Sequence, residues 1–512
     1  MATYDWVVVG GGAAGCVLAN RLSADPDTTV LLLEAGPGDA GIEEIADASR
    51  WTSLFGGPYD WGHVYAPSDA VLGRAIPIPR GRVLGGSSST NAMLWYRGHP
   101  ADYDAWAAAG ATGWDWSALL PCFRRSEDWA GGATALRGAG GPMRVRTSPD
   151  LHPVAMAMLE GAPEIGVPVI DDPNGATNEG AAPANLNAVV DAGGRMRRWS
   201  TVRGYLDPVR DRPNLVVAVN TVARRLLLEG DRVVGVEHGD GEAVRAERGV
   251  VLTLGAIGTP LLLERSGIGD PAVLAAAGIR TAHALPGVGA DFQDHPLVAG
   301  MNAAADRPLG PLRDNGGGTM MNWRSSLADS APDLHAFVVQ ESRPAAGVAQ
   351  DLTGEVFAVS PGLMRSASKG HVHLRSADPA VPPEIQPHLL RERGDVDRLI
   401  EGVERILELL ATPAFRALGA RPLLPFRTGD RTAIEQFVRA GADTFFHACG
   451  SARMGTDEGA VVGPDLTVRG LRGVTVADAS VIPVIPTSNT QWPVIAVAER
   501  AADLLLSRKD AA

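Results

Sequence analysis

The sequence predicts an α/β fold, in which a discontinuous Rossmann-like nucleotide-binding domain is joined to a second domain with a mainly antiparallel sheet and helices. Three observations predict this fold class. A glycine-rich turn lies between a buried strand and a helix at the N-terminus, as in dinucleotide-binding units. Strands and helices without glycine triplets alternate over residues 300–440. A strand and an apolar helix over 474–506 then bring the chain back to the first domain.

The glycine-rich turn is the most informative stretch. The apolar run Trp6–Val9 predicts a buried parallel strand, and the turn follows it directly. Gly10 allows a tight turn, Gly12 lets the backbone approach a pyrophosphate, and Gly15 lets the next helix pack against the strand. That helix, predicted over Ala13–Leu22, offers free N–H groups to phosphate at its first turn. The stretch therefore predicts a dinucleotide site.

A second buried strand, Val30–Leu33, ends in an acidic residue. Glu34 follows Gly15 by nineteen residues, where a carboxylate can accept hydrogen bonds from a ribose 2′-hydroxyl. A carboxylate at this place disfavours a 2′-phosphate, and with it NADP. NAD and FAD both remain open on these residues.

A second stretch of small residues lies over 80–98 and is rich in Gly and Ser. It leads into Asn91 and a short apolar run, which predicts a loop-to-helix entry whose N–H groups could hold phosphate or the edge of a flavin. The same composition is typical of a flexible surface linker, so this alternative stays open.

Composition places the chain among globular proteins of more than one domain. It has 512 residues, 45% hydrophobic residues and a net charge of −13, which disfavours nucleic acid and anionic membrane surfaces as partners. Three cysteines are too few for a disulfide framework or a zinc site, and no metal is expected. No apolar run reaches the length of a membrane span, and the N-terminus enters the first strand without a signal peptide. We therefore expect a cytoplasmic protein.

The expected domains are interleaved along the chain. The first comprises 1–150, 196–298 and 441–512, with an excursion over 37–80 that covers the cofactor; the second comprises 151–195 and 299–440. Individual elements are also predicted: a helical region over 101–126, an antiparallel meander over 215–236, a strand over Gly370–Arg375, and helices over Val396–Leu410 and 494–506.

Four blocks of the sequence resemble the glucose–methanol–choline (GMC) oxidoreductases, a family of flavoproteins that oxidise alcohols. They are Gly10–Glu34, Gly81–Asn91, Gly255–Gly269 and the C-terminal stretch from His447 to Asn489. The resemblance covers essentially the whole chain and implies FAD rather than NAD. Family members with covalent FAD have His at the position of Thr90, so non-covalent FAD is expected here.

The resemblance also implies the residues of the site. The implied cofactor-binding residues are Gly10, Gly12, Ala13, Ala14, Gly15, Glu34, Ala35, Arg82, Gly85, Gly86, Ser87, Asn91, Ala92, Met93, Leu94, Val222, Gly255, Ala256, Asp478, Ala479, Asn489 and Thr490. His447 and Asn489 are the implied catalytic residues, and Phe446 and Trp492 are expected to shape the substrate pocket. His295, in a similar segment, is expected to be structural.

The mechanism that follows needs a base and a hydride acceptor. His447 would abstract the hydroxyl proton while flavin N5 accepts the hydride, and Asn489 would orient the alcohol oxygen. Phe445 and Phe446 beside the histidine would limit water and keep the imidazole neutral.

The expected reaction is oxidation of an aromatic or heteroaromatic primary alcohol to the aldehyde, with O₂ or a quinone or protein acceptor reoxidising the flavin. Phe446 resembles an aromatic position in the family's aryl-alcohol and furfuryl-alcohol oxidases, which favours an oxidase slightly. Choline is disfavoured, because no acidic residue near the motifs is placed to bind a quaternary ammonium. An acceptor-dependent dehydrogenase for choline or alkyl alcohols, a hydroxynitrile lyase of the same fold and a flavoprotein without chemistry are the alternatives. The oligomeric state does not follow from the sequence.

Overall fold

The protein is described by a computed structural model that covers residues 1–427 and 429–507. Within this part of the chain two large sheets dominate, one of seven strands and one of eight. The end of the predicted first domain, 508–512, and residue 428 of the predicted second domain lie outside the described residues. The two sheets correspond to the two predicted kinds of domain, and the site lies where they meet.

The first sheet is mixed. Its strands, in spatial order, are Leu215–Ala218, Val30–Leu33, Ala2–Val9, Glu242–Leu252, Arg232–His238 and Ala223–Glu229, and Val474–Val476 pairs with Glu242–Leu252. The strands at its centre are apolar along their whole buried length, because helices and loops cover both faces. The sequence predicts an antiparallel meander over 215–236, but Leu215–Ala218 pairs in parallel with Val30–Leu33. Only the two later strands of that region form the antiparallel part.

Two helices pack together on this sheet and fix the glycine-rich turn. The first helix, Ala13–Leu22, follows the turn, and the closing helix, Gln491–Ser507, packs against it. Small buried residues such as Ala14, Ala498 and Ala501 allow the two helices to approach closely. The C-terminal part of the chain thus supports the N-terminal turn, as the sequence predicts for a discontinuous domain.

The second sheet is antiparallel. Its strands, in spatial order, are Arg421–Pro422, Asn302–Ala304, Val356–Leu363, Leu334–Val339, Thr319–Trp323 and Gly180–Pro183, and Pro296–Val298 pairs with Val356–Leu363 and Ala442–Thr444. The helix Arg393–Leu410 covers it with an apolar stripe that includes Leu399, Val403 and Ile406.

The strands Pro296–Val298 and Ala442–Thr444 belong to this second sheet, although both lie in ranges that the sequence assigns to the first domain. Each lies a few residues inside the predicted boundary. The chain therefore crosses between the sheets at His295 and again at Phe445, and both crossings are next to the site.

The other elements are shorter. The remaining helices are Glu43–Ala46, Pro100–Ala108, Trp116–Ser126, Pro153–Gly161, Gly255–Arg265, Pro271–Ala276, Pro413–Ala417 and Arg431–Gly441. The remaining strands are His63–Tyr65, Ile76–Ile78, Glu127–Trp129, Met143–Thr147, Asn185–Leu186, Ala188–Val190, Met196–Arg198, Ile268–Gly269, His283–Ala284, His371–His373 and Glu384–Gln386. None of the helices described is both long enough and apolar enough to cross a bilayer.

Candidate active site

A cavity of about 840 Å³ lies at the junction of the two sheets. The carboxyl ends of first-sheet strands reach it at Val9 and Leu33, and the second sheet contributes Phe337, Val339 and Ser360. In α/β proteins, ligands bind outside the carboxyl ends of parallel strands, and this cavity is in that place.

Two glycine-rich stretches meet at one end of the cavity. A Cβ atom on Gly10 would lie 2.6 Å from the carbonyl oxygen of Thr253, and one on Gly86 would lie 2.9 Å from Cα of Gly12. The Gly85 N–H donates to the carbonyl of Gly11 at 2.7 Å. The stretch over 80–98 is therefore part of the site and not a surface linker. The helical entry predicted here is a short 3₁₀ turn, Gly86–Ser89.

Glu34 holds the glycine-rich turn in place. One carboxylate oxygen accepts the N–H of Gly11 at 2.8 Å, and the other accepts the N–H of Gly36 at 2.7 Å. Burial raises the pKa of this carboxyl, and the two backbone N–H groups act in the opposite direction. A carboxylate has about four lone-pair sites, so Glu34 keeps acceptor sites for the ribose hydroxyl that the sequence assigns to it.

Asp478 holds a second backbone segment of the cavity wall in place, as Glu34 holds the glycine-rich turn. It accepts the N–H of Gly255 at 2.8 Å and the hydroxyl of Thr259 at 2.6 Å, both in the helix Gly255–Arg265. Burial raises its pKa, and these hydrogen bonds lower it. The acid thus anchors the N-terminus of a helix, whose free N–H groups favour phosphate.

Most of the predicted cofactor-binding residues line the cavity. They are Gly10, Gly12, Ala13, Ala14, Glu34, Ala35, Gly86, Ser87, Asn91, Ala92, Leu94, Val222, Gly255, Ala256, Asp478, Ala479, Asn489 and Thr490. The glycines let the backbone approach the phosphates of FAD closely, and the helix N-terminus offers them N–H groups. The acid at the end of the second strand fits the ribose.

Four predicted cofactor residues lie behind the lining instead. A Cβ on Gly15 would lie 1.9 Å from the carbonyl oxygen of Gly10, so Gly15 serves the packing of helix on strand. Gly85 adopts a left-handed φ of 88° in the turn, Met93 is fully buried, and the Arg82 guanidinium lies 5.3 Å from the ring centroid of Trp61. These residues shape the wall without facing the cavity.

His447 and Asn489 meet at the other end of the cavity. Nδ2 of Asn489 lies 3.0 Å from Nε2 of His447, and Nδ1 of His447 lies 2.9 Å from Nδ1 of His295. An amide nitrogen only donates, so Nε2 of His447 carries a lone pair and its proton is on Nδ1. His447 then donates from Nδ1 to His295, and a basic nitrogen faces the cavity.

The environment keeps this imidazole neutral. Burial lowers the pKa of His447 well below the ordinary value of 6.5, and the nearby His295, Arg80 and His335 lower it further. Burial also lowers the pKa of His295 to about 3. Phe445 contributes to the apolar surroundings, with its ring centroid 4.9 Å from that of His447. A neutral imidazole is the form that accepts a proton.

Asp294 is a functional residue that sequence reasoning missed. One of its oxygens accepts the backbone N–H of His447 at 2.7 Å and that of His295 at 2.9 Å. The other accepts the hydroxyls of Tyr65, at 2.7 Å, and Thr444. The carboxylate thus positions both histidines. The only sequence signal was its place next to His295, which is itself more than structural because it contacts the candidate base.

Phe446 adopts a left-handed backbone, with φ of 67°, which a bulky residue rarely does. The turn is held by Arg80, whose Nη2 donates to the Phe446 carbonyl at 2.6 Å, and by Thr444, whose hydroxyl accepts the Phe446 N–H at 2.8 Å. The ring lies 5.2 Å from that of Phe55 and lines the cavity, as predicted for a pocket residue.

Trp492 does not line the cavity, and this corrects the prediction that it shapes the pocket. Its side chain is fully buried, 4.7 Å from the ring of Trp95, and its indole N–H donates to Ser126 at 2.9 Å. Trp492 is in the first turn of the closing helix, which directs it into the core of the first domain. The aromatic wall of the cavity comes from Trp51 and Phe55, in the excursion over 37–80.

Comparisons with known proteins agree with this geometry. The GMC oxidoreductase N-terminal profile matches residues 4–297 and the C-terminal profile matches 366–498. Mitochondrial choline dehydrogenase from Homo sapiens is 36% identical over 539 residues, covering 98% of this chain and 89% of that protein. An oxygen-dependent choline dehydrogenase from Paraburkholderia phytofirmans is also 36% identical, over 99% of this chain and 95% of that protein. The crystal structure of pyridoxine 4-oxidase from Mesorbium loti superimposes with a TM-score of 0.93 at 33% identity, covering 98% of both chains.

A dinucleotide turn at one end of a cavity and a buried, neutral imidazole at the other fit a flavin-dependent oxidoreductase. The chain belongs to the GMC oxidoreductase family, and its cofactor is FAD. It is accordingly an oxidoreductase that acts on CH–OH groups.

Proposed function

We propose that the protein oxidises a primary alcohol bearing an aromatic or heteroaromatic ring to the aldehyde. When bound, FAD supplies the two-electron acceptor for this oxidation. The observation that carries the proposal is the His447–Asn489 pair, in which the unprotonated Nε2 of a neutral imidazole and an amide donor lie 3.0 Å apart in the cavity wall.

The residues of the chain act on the hydroxyl group. Nε2 of His447 accepts the hydroxyl proton, and Nδ1 shares the resulting positive charge with His295. The Nδ2 group of Asn489, 3.0 Å from Nε2, donates to the alcohol oxygen as negative charge develops there. Phe445 and Phe446 exclude water, which keeps the imidazole from being protonated by solvent.

The aromatic ring of the substrate is inferred from the cavity wall. Trp51, Phe55 and Phe446 form a run of ring contacts beside His447, at 5.5 and 5.2 Å between centroids. Offset and edge-to-face contacts with such rings favour a flat aromatic ligand.

Choline is a weaker candidate, although two relatives bear its name. Aromatic rings also bind quaternary ammonium groups, but the guanidinium of Arg343 lies 5.7 Å from the ring centroid of Trp51 and repels a cation. Among the described residues, the carboxylates that line the cavity are Glu34 and Asp478, and both are engaged at the cofactor end.

The test is an absorbance spectrum of the holoenzyme under anaerobic conditions with benzyl alcohol, pyridoxine, an alkyl alcohol or choline, followed by exposure to air. Bleaching by the aromatic alcohols and rapid recovery in air is expected, which indicates an oxidase. Persistent bleaching in air would instead indicate a dehydrogenase that needs a quinone or protein acceptor. Bleaching by choline alone contradicts the aromatic substrate, and a spectrum unchanged by every alcohol favours the hydroxynitrile lyase.

Non-covalent binding of FAD is part of the proposal. Thr90 lines the cavity, where its hydroxyl offers no imidazole for a covalent link. Acid precipitation of the holoenzyme should leave all flavin in the supernatant, and flavin retained in the washed pellet would contradict it.

A further inference from the structure

We propose that the alcohol substrate carries an anionic group, a carboxylate in the simplest case, and that Arg343 binds it at the end of the cavity remote from the dinucleotide turn. This inference rests on the proposed alcohol oxidation and names the substrate class more closely.

Arg343 is presented to the cavity by a rigid backbone. It follows the strand Leu334–Val339, and its N–H donates to the side-chain oxygen of Asn302 at 2.8 Å. Its carbonyl accepts the N–H of Gly300 at 3.0 Å and the side-chain amide of Asn302 at 3.1 Å. A side chain on a fixed backbone can select a ligand, because little ordering is needed on binding.

The guanidinium itself is not satisfied by the protein. Its face lies against Trp51, with the carbon 5.7 Å from the ring centroid, and within the described residues its nitrogen atoms make no hydrogen bond to the chain. The carboxylates of Asp443 and Glu341 act on it from beyond 4.0 Å, outside ion-pair distance in the described structure. Arg343 is half-buried, and partial loss of solvent lowers the pKa of its guanidinium, as expected for a cation without a close counterion.

A second guanidinium makes this part of the cavity more positive. Arg80 also lines it, but Nη2 donates to the carbonyl of Phe446 and Nε to that of Pro79, both at 2.6 Å. Arg80 is thus committed to the turn before His447, while Arg343 has donors to offer. The chain as a whole is negative, with a net charge of −13, but two arginines line this part of the cavity. The described carboxylates that line the cavity, Glu34 and Asp478, lie at the cofactor end. This distribution of charge favours an anionic ligand beside Arg343.

The aromatic run connects the two ends of the proposed substrate. Arg343 contacts Trp51, Trp51 contacts Phe55, and Phe55 contacts Phe446, which precedes His447. An aromatic ring that carries a hydroxymethyl group and a carboxylate matches this order. Its hydroxymethyl group would face His447, its ring would lie along the aromatic side chains, and its carboxylate would face Arg343. We therefore expect hydroxymethyl-aryl carboxylates to be the preferred class.

The test compares acids with neutral analogues of the same shape. The holoenzyme is assayed with 3- and 4-(hydroxymethyl)benzoate and with their methyl esters at pH 7.5. We expect kcat/KM for the better acid to exceed that of its ester by about tenfold or more, as a charge-assisted hydrogen bond requires. Arg343→Gln should abolish this preference, because kcat/KM should fall at least tenfold more for the acid than for its ester. Arg343→Lys should keep part of it, and Arg313→Gln, at an exposed arginine of the same domain, should keep all of it.

A binding measurement decides the question independently of turnover. Benzoate and benzamide are titrated into wild type and Arg343→Gln, and binding is followed by calorimetry. Tighter binding of benzoate that disappears in the variant supports the proposal; equal binding of the two compounds, or a preference that survives in the variant, overturns it. Oxidation of esters without preference for acids would overturn the role of Arg343 and leave the proposed oxidation standing. Failure of all aryl alcohols would contradict the oxidation itself.

Discussion

The Nε2 atom of His447 has three properties that suit it to accept a proton from an alcohol. Nε2 carries a lone pair, it faces a cavity, and it is 3.0 Å from an amide donor that can bind the same oxygen. The opposite nitrogen contacts His295, which sets the tautomer. This arrangement leaves the imidazole ready for the proposed role as base before any substrate is bound.

Replacement of His447 by Ala should reduce the rate of alcohol oxidation by about 10²- to 10⁴-fold, the usual contribution of a positioned general base. FAD content should stay normal, because the dinucleotide turn is at the opposite end of the cavity. Single-turnover flavin reduction with benzyl alcohol measures the effect. His371→Ala, at a half-buried histidine that contacts Glu384, is the matched control. Near-normal reduction in the His447 variant would remove this residue from the mechanism.

The lowered pKa of His447 predicts an unusual pH profile for a histidine base. An imidazole of pKa 6.5 would be about three-quarters protonated at pH 6.0 and would lose activity accordingly. Since burial lowers the pKa of His447 well below 6.5, the base stays neutral at that pH. We expect kcat/KM for benzyl alcohol to change less than about twofold between pH 7.5 and 6.0. A limb with an apparent pKa near 6.5 would contradict the burial argument.

At the scale of elements, the glycine-rich turn depends on residues without side chains, because neighbouring backbone atoms leave no room for a Cβ atom. Gly10 has φ of 106°, and any Cβ there would lie 2.6 Å from the carbonyl oxygen of Thr253. Thr253 directly follows the strand Glu242–Leu252, and its N–H donates to the carbonyl of Val9 at 2.8 Å, so its carbonyl cannot move without disturbing the sheet.

Gly10→Ala should therefore lower the free energy of unfolding by about 2 kcal/mol or more, from backbone strain and overpacking together. FAD content should fall as well. Gly38→Ala is the control, since its Cβ would have no atom within 4 Å. Flavin-to-protein ratios are measured on both variants as purified, and urea unfolding is measured on both after the flavin has been removed. Equal stability of the two variants would show that the turn adapts.

Local sequence patterns predict the first domain well. The helix Ala13–Leu22 and the strand Val30–Leu33 occur with the predicted bounds, because glycine chemistry and apolar runs act over a few residues. Strand pairing and side-chain burial that depend on residues far away in sequence cannot be predicted from such local patterns. The parallel pairing of Leu215–Ala218 depends on a strand far away in sequence, and Trp492 is buried by its neighbours in the core. The role of Asp294 depends on two segments far away in sequence, one with Tyr65 and one with Thr444 and His447.

At the scale of the whole molecule, burial of neutral histidines links stability to pH. The pKa values of His295 and His335 are lowered to about 3, and that of His447 lies well below 6.5. The unfolded chain binds protons at these residues below pH 6.5, whereas the folded chain does not. Stability is therefore full above about pH 6.5 and falls as the pH decreases, by up to about 1.4 kcal/mol per unit for each histidine.

Urea unfolding at pH 7.5, 6.0 and 5.0 should show this loss of stability toward acid. Asp443, whose pKa burial raises to about 6, acts with the opposite sign, and so do Glu34 and Asp478, whose pKa values burial also raises. These carboxyls offset part of the slope below pH 6. His335→Gln should make the slope shallower, since it removes one of the buried imidazoles. A slope that is the same in His335→Gln and in the wild type would contradict the assignment of a neutral buried histidine at this position.

The contacts of Asp294 have a consequence for how the molecule reaches its native state. Tyr65 is 229 residues away from Asp294 along the chain, and Thr444 is 150 residues away. Contacts of such long sequence separation form slowly, because closing large loops is entropically costly. The histidine pair can be aligned only after the N-terminal excursion, the middle crossing and the C-terminal crossing have all docked. During refolding, catalytic competence should accordingly be among the last properties to appear, after the helices and the first sheet have formed.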